Sequence, residues 1–104
     1  SLIKIYEPII KYPAVKRDLA IIVDKDIDSG KIEKIFKNNS NNLLKNIELF
    51  DIYTGNQINK GKKSMAYKLT FQSKEKTLVD EDINSLIDNM LFDLKEQLGA
   101  YLRF

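Results

Sequence analysis

The chain has 104 residues, 17 Lys and Arg against 15 Asp and Glu, a formal net charge of +2, and neither cysteine nor histidine. That length supports one domain with one core and leaves little room for a deep, enclosed cavity, so a function carried on the surface is expected. The missing Cys and His remove disulfides, thiolate nucleophiles, imidazole bases and the usual zinc ligands, and with them most catalytic chemistry.

The segment from Ser1 to Ile5 lacks the layout of a signal peptide, and no apolar run approaches the roughly 20 residues that span a bilayer. A soluble, intracellular domain with no membrane partner is expected. The abrupt apolar start without methionine suggests a piece of a longer polypeptide, although a processed or engineered terminus would look the same. Residues 1–13 read as extended, because Pro8 and Pro13 each push the preceding residue toward β or polyproline geometry. A lead-in or linker is placed over residues 1–11 and the folded domain over residues 12–104.

Asp18 to Asp24 is apolar between its two acids, as a strand with neighbours on both sides appears, with Leu19, Ile21 and Val23 on one face and Ala20 and Ile22 on the other. Ala20 is small, so the backbone there can be approached closely. Cap residues Asp26, Asp28 and Ser29 precede Ile32, Ile35 and Phe36 at helical spacing, which predicts a first helix over about residues 29–38. The run Asn38 to Asn42 ends it, since these side chains compete for backbone hydrogen bonds and, asparagine above all, tolerate left-handed geometry. Leu43 and Leu44 dock the chain back. Ile47 to Tyr53 reads as a second strand, and Gly55 to Gly61 as the loop of an antiparallel hairpin.

The third strand, Lys62 to Gln72, alternates most clearly. Met65, Tyr67, Leu69 and Phe71 form an apolar face, whereas Ser64, Ala66, Lys68, Thr70 and Gln72 form a small polar one. One side of the sheet must therefore be covered by helices while the other stays open. Thr77 to Asp82 opens a second helix with acids in its first turn, and Ile83, Leu86, Ile87, Met90, Leu91, Leu94 and Leu98 make its stripe. Gly99 stands where a helix-ending glycine belongs, and Ala100 to Phe104 reads as a last short strand. The order βαββαβ predicts an α+β, ferredoxin-like fold: a four-stranded antiparallel sheet in the order 4-1-3-2 with two helices on one face.

Such folds host many functions, so the residues must decide. An acylphosphatase-like enzyme needs a basic, glycine-containing phosphate cradle after the first strand, but that turn carries Asp24, Asp26 and Asp28 and repels phosphate. A copper carrier needs paired cysteines there. Asp80, Glu81 and Asp82 are better read as helix-dipole partners than as acid–base catalysts. The charge is unevenly spread: lysines at 60, 62, 63, 68, 74 and 76 oppose the lone acid Glu75, and acids at 80, 81, 82, 88, 93 and 96 oppose Lys95. This polarity fits an anion-facing patch or an ordinary solvated surface. Base stacking by an open sheet commonly uses aromatics on its third strand, yet Tyr67 and Phe71 face the helices here. Tyr53, beside the lysine-rich loop, and Tyr101 remain as open-face aromatics. Tyr53 is read either as a sheet-edge residue or as a base platform.

Lys11-Tyr-Pro-Ala-Val-Lys-Arg-Asp-Leu-Ala20, Leu49-Phe-Asp-Ile-Tyr-Thr-Gly55, Gly61-Lys-Lys-Ser-Met-Ala-Tyr67 and Thr70-Phe-Gln-Ser-Lys-Glu-Lys-Thr-Leu78 together resemble the C-terminal ferredoxin-fold anticodon-binding domain of bacterial phenylalanyl-tRNA synthetase β subunits. The resemblance runs from about Tyr12 to the C-terminus and departs at the asparagine-rich Asn38 to Asn42. It implies binding to the anticodon region of tRNA-Phe within an α2β2 heterotetramer in the cytoplasm, with the α subunit and the rest of the β subunit as partners and no DNA partner. It also implies that ATP-dependent, magnesium-linked aminoacylation lies outside this domain, which would be no enzyme alone and carry no cofactor. Ala20, Tyr53 and Ser64 match the family's anticodon positions, and alternation picks out the same three. Lys62 and Lys63 are expected beside them as tRNA-binding cations. Competing expectations are an ACT-like regulatory module that binds an amino acid, which would need a glycine earlier than Gly30, and a protein-docking domain without RNA contact.

Overall fold

A computed structural model describes residues 12–103, so the linker placed over residues 1–11 lies outside the described residues, as does the last residue. The elements are β1 (Val15–Asp24), α1 (Ser29–Asn38), β2 (Leu44–Tyr53), β3 (Lys62–Phe71), α2 (Asp80–Leu98) and β4 (Tyr101–Leu102). The sheet runs β2-β3-β1-β4, the expected 4-1-3-2 order read from the other edge, and every neighbouring pair is antiparallel. The fold is the ferredoxin-like one.

The period-2 apolar residues of the two central strands meet the helices. Ile21, Val23, Met65, Tyr67, Leu69 and Phe71 are fully buried together with Ile32 and Phe36 of α1 and Ile83, Met90 and Leu94 of α2. Phe36 meets Tyr67 edge to face, with centroids 5.2 Å apart and planes at 81°. The Tyr67 hydroxyl shares a 2.8 Å hydrogen bond with Ser29 Oγ, which ties β3 to the start of α1. Burial pushes the Tyr67 phenol above its ordinary pKa, and the bond to Ser29 opposes that rise.

The helix ends are fastened as their sequences require. Asp82 Oδ2 accepts the Val79 N–H at 3.0 Å, and Arg17 reaches from β1 to Asp80 at 2.8 Å and to Asn84 at 2.9 Å. Acids at this end also complement the helix dipole. Gly99 closes α2 with φ 64° and ψ 20°, and its N–H donates to the Lys95 carbonyl. The asparagine run ends α1 as expected, with Asn41 and Asn42 both at positive φ. Two strands start earlier than their apolar cores indicate. β1 begins at Val15 because Val15 and Arg17 pair with Phe71 and Leu69, and β2 begins at Leu44 because Leu44 pairs with Phe71. Long partners, not local hydrophobicity, set those ends.

Candidate functional site

The register lays out the face that the helices leave uncovered. One row runs across all four strands as Tyr53, Ser64, Ile22 and Tyr101. The next row contains Asp51, Ala66 and Ala20, so the middle of the face is floored by small side chains. Asp18 lies opposite Lys68, and Asp24 opposite Lys62.

Tyr53 is held in this floor from two sides. The Arg103 backbone N–H donates to the Ala20 carbonyl at 2.8 Å, which continues the β4 pairing past its last strand residue. From there the Arg103 side chain crosses the sheet above the Ala20 and Ala66 positions and places its guanidinium 5.0 Å from the Tyr53 ring centroid. The guanidinium also donates to Gln57 Oε1 at 3.2 Å. On the other side, a Cβ on Gly55 would fall onto the Tyr53 hydroxyl and lie 2.8 Å from its Cζ, so glycine is needed there for this ring orientation.

The hairpin loop changes the picture of a wholly open face. Ile22 and Ile58 are each 7% exposed although neither belongs to the helix-side core, and Ser64 is 3% exposed. The loop between β2 and β3 therefore covers the upper end of the face, pinned by the Lys25 N–H on the Gly61 carbonyl at 2.9 Å. Ala20 and Tyr53 remain partly accessible beside it.

Ala20, Tyr53, Ser64 and Lys62 thus gather on one face, whereas Lys63 does not. Adjacent residues of a strand point to opposite faces, and Lys63 turns to the helix side, where its ammonium donates to the Ile27 carbonyl at 2.7 Å. The alternation that identified the open face already required this. Lys62 pairs with Asp24 at 2.7 Å, and that hydrogen bond raises the pKa of its ammonium. A shallow depression beside it is lined by Lys25, Lys60 and Lys62 together with Gly55 and Gly61. Cations therefore flank the Tyr53 end of the face.

Sequence reasoning missed three contributors. Arg103 stands next to the last residue of the chain after a two-residue strand, too short for any periodicity to show its direction. Gly55 reads as a loop residue until the position of Tyr53 is known. Phe50 is turned by a β-bulge: Leu49 pairs with Tyr67 and Asp51 with Ala66, so one extra residue is inserted between them. The ring emerges on the uncovered face, 49% exposed, with Lys68 Nζ 6.0 Å from its centroid. The Phe-Asp pair itself carries no sign of the bulge.

Among the described residues no group of three or more His, Cys, Asp or Glu side chains is placed to hold a metal ion, and the turn after β1 presents acids where a nucleotide phosphate would need donors. Among the described residues no helix is long and apolar enough to cross a membrane. What the face offers is an aromatic plane, small neighbours beneath it and cations at its edge, a combination suited to an unstacked nucleobase and its phosphates.

Comparison with known proteins points the same way. A phenylalanine–tRNA ligase β subunit of Listeria innocua is 44% identical over 99 residues, covering 95% of this chain and 12% of that protein. The corresponding subunit of Carboxydothermus hydrogenoformans is 44% identical over 100 residues, 96% of this chain and 12% of that protein, and that of Clostridium acetobutylicum is 39% identical over 103 residues, 99% and 13%. The chain spans only about an eighth of the length of these relatives. The ferredoxin-fold anticodon binding domain family matches residues 11–103, nearly the whole chain, and with the strand order and the face described above it follows that the chain belongs to that family.

Proposed function

We propose that this chain recognises the anticodon region of tRNA-Phe as the anticodon-binding part of a phenylalanine–tRNA ligase β subunit. The observation that carries the reading is Tyr53, an aromatic plane whose cross-strand neighbour is the small Ser64, next to a depression lined by Lys25, Lys60 and Lys62. In this reading an anticodon base stacks on the Tyr53 ring. The ring face is held by the Arg103 guanidinium in the free domain, so the base either displaces that group or enters beneath it. Ala20 and Ser64 let the base approach the backbone, and Lys62 with its lysine neighbours draws the phosphates. Asp24 competes for Lys62, so the approach of a phosphate exchanges one anion for another at the same ammonium.

The same reading assigns ATP-dependent, magnesium-linked aminoacylation to the α subunit of an α2β2 heterotetramer in the cytoplasm, with this domain and the rest of the β subunit as its tRNA-holding partners. Binding by an aromatic plane is tested by substitution. Tyr53→Ala is expected to weaken binding of the tRNA-Phe anticodon hairpin about tenfold, while Tyr53→Phe, which keeps the plane, changes little. Unchanged hairpin affinity with a lowered melting temperature would make Tyr53 a scaffold residue. Binding of free phenylalanine or another amino acid without RNA would instead favour a regulatory amino-acid module.

A further inference from the structure

The proposed base site leaves a second aromatic on the same face without a role. Tyr101 lies at the other end of the row that begins with Tyr53, beyond Ser64 and Ile22, and is 43% exposed. Three strand spacings of about 4.8 Å separate the two backbones by roughly 14 Å. Between them Ile22 and Ser64 are buried beneath the loop that joins β2 and β3, so the two tyrosines stand at the ends of a row whose middle is covered. Arg103, from the same short segment as Tyr101, reaches away toward Tyr53 and does not cover the Tyr101 end.

We propose that Tyr101 is a second stacking platform, which takes another nucleobase of the same RNA loop and so fixes the direction in which the loop crosses the sheet. This rests on the anticodon reading above and adds a residue to it. A nucleobase is favoured as occupant by charge: the next row contains the Lys62–Asp24 pair, and Lys25 and Lys60 line the depression beside it. Lys62 lies on β3, one of the two strands between Tyr53 and Tyr101, so a phosphate paired with it would link nucleotides at the two ends of the row. Four-stranded sheets that bind single-stranded RNA commonly stack two or three bases on their aromatics.

The test uses the 104-residue chain and the tRNA-Phe anticodon hairpin, with a fluorescent adenine analogue placed at each loop position in turn. Stacking on tyrosine quenches such a probe. Wild type is expected to quench at two separate positions, with Tyr53→Ala abolishing one and Tyr101→Ala the other, and Tyr101→Ala weakening affinity by about fivefold or more. Tyr101→Phe should retain both signals. Tyr101→Leu, which keeps apolar bulk in the strand, should behave like the alanine variant, and this separates stacking from folding. Quenching that survives Tyr101→Ala, or an equal loss with Tyr101→Phe, overturns the inference while leaving the Tyr53 site intact. If Tyr53→Ala and Tyr101→Ala both leave binding unchanged, the anticodon reading and this inference fall together.

Discussion

Gly55→Ala separates the geometry of the site from the stability of the fold. The φ of Gly55 is not in the left-handed region, so alanine meets no backbone strain there. Its Cβ would, however, occupy the place of the Tyr53 hydroxyl and stand 2.8 Å from Cζ, so the ring has to rotate off its floor. Two stability effects then oppose each other. Replacing glycine by alanine where the backbone permits it stabilises by about 0.4–1 kcal/mol through the unfolded chain, and losing an exposed guanidinium–ring interaction costs about 0.5–1 kcal/mol. The sum is close to zero. Since 1 kcal/mol corresponds to roughly 4–8 °C in a domain of this size, the melting temperature should move by less than about 5 °C. RNA recognition is expected to respond differently, because a displaced platform forfeits the stacking worth about 1–3 kcal/mol, or about 5- to 150-fold in Kd. Fluorescence anisotropy with labelled anticodon hairpin measures the second effect and a thermal melt the first. The double variant Gly55→Ala/Tyr53→Ala should bind no more weakly than Tyr53→Ala alone, since both changes remove the same stacking surface. Hairpin affinity within about twofold of wild type for Gly55→Ala would overturn this account, because the observed ring orientation would then not be the one that binds.

Two further outcomes are expected. Replacing Lys60 and Lys62 by alanine should lower the slope of log K against log salt by about 0.7 for each phosphate no longer neutralised, whereas Lys63→Ala, whose ammonium is held by the Ile27 carbonyl, should leave the slope alone; equal slopes for wild type and the Lys60/Lys62 variant would mean that the patch is only solvated. Leu86→Ala, at a core position 5% exposed, should destabilise by about 2–5 kcal/mol in a denaturant titration, and an unchanged midpoint would remove that residue from the core.

Much of this protein is local in origin and therefore readable along the chain. Period-2 alternation in Met65, Tyr67, Leu69 and Phe71 and the 3-and-4 stripe of Ile83, Leu86, Ile87, Met90 and Leu94 each determine which side is buried, because each element has one way of hiding its apolar residues. Together with two crossovers of fixed hand, they leave one sheet order and one uncovered face. The same alternation places Ala20, Tyr53, Ser64 and Lys62 on that face, and it also sends Lys63 to the other side, a consequence that proximity in sequence obscured. Other features exist only when distant segments meet. A bulge depends on a register between two strands, so the direction of Phe50 is absent from either strand alone. Arg103 reaches Tyr53 because β4 pairs beside β1 and the residues between are small, a relation across 50 positions of chain. The need for glycine at 55 comes from a ring that occupies its Cβ position, and the covering of Ile22 comes from a loop that folds back over the sheet. Each of these depends on where a side chain ends in space, which the residue's own neighbours in sequence do not control.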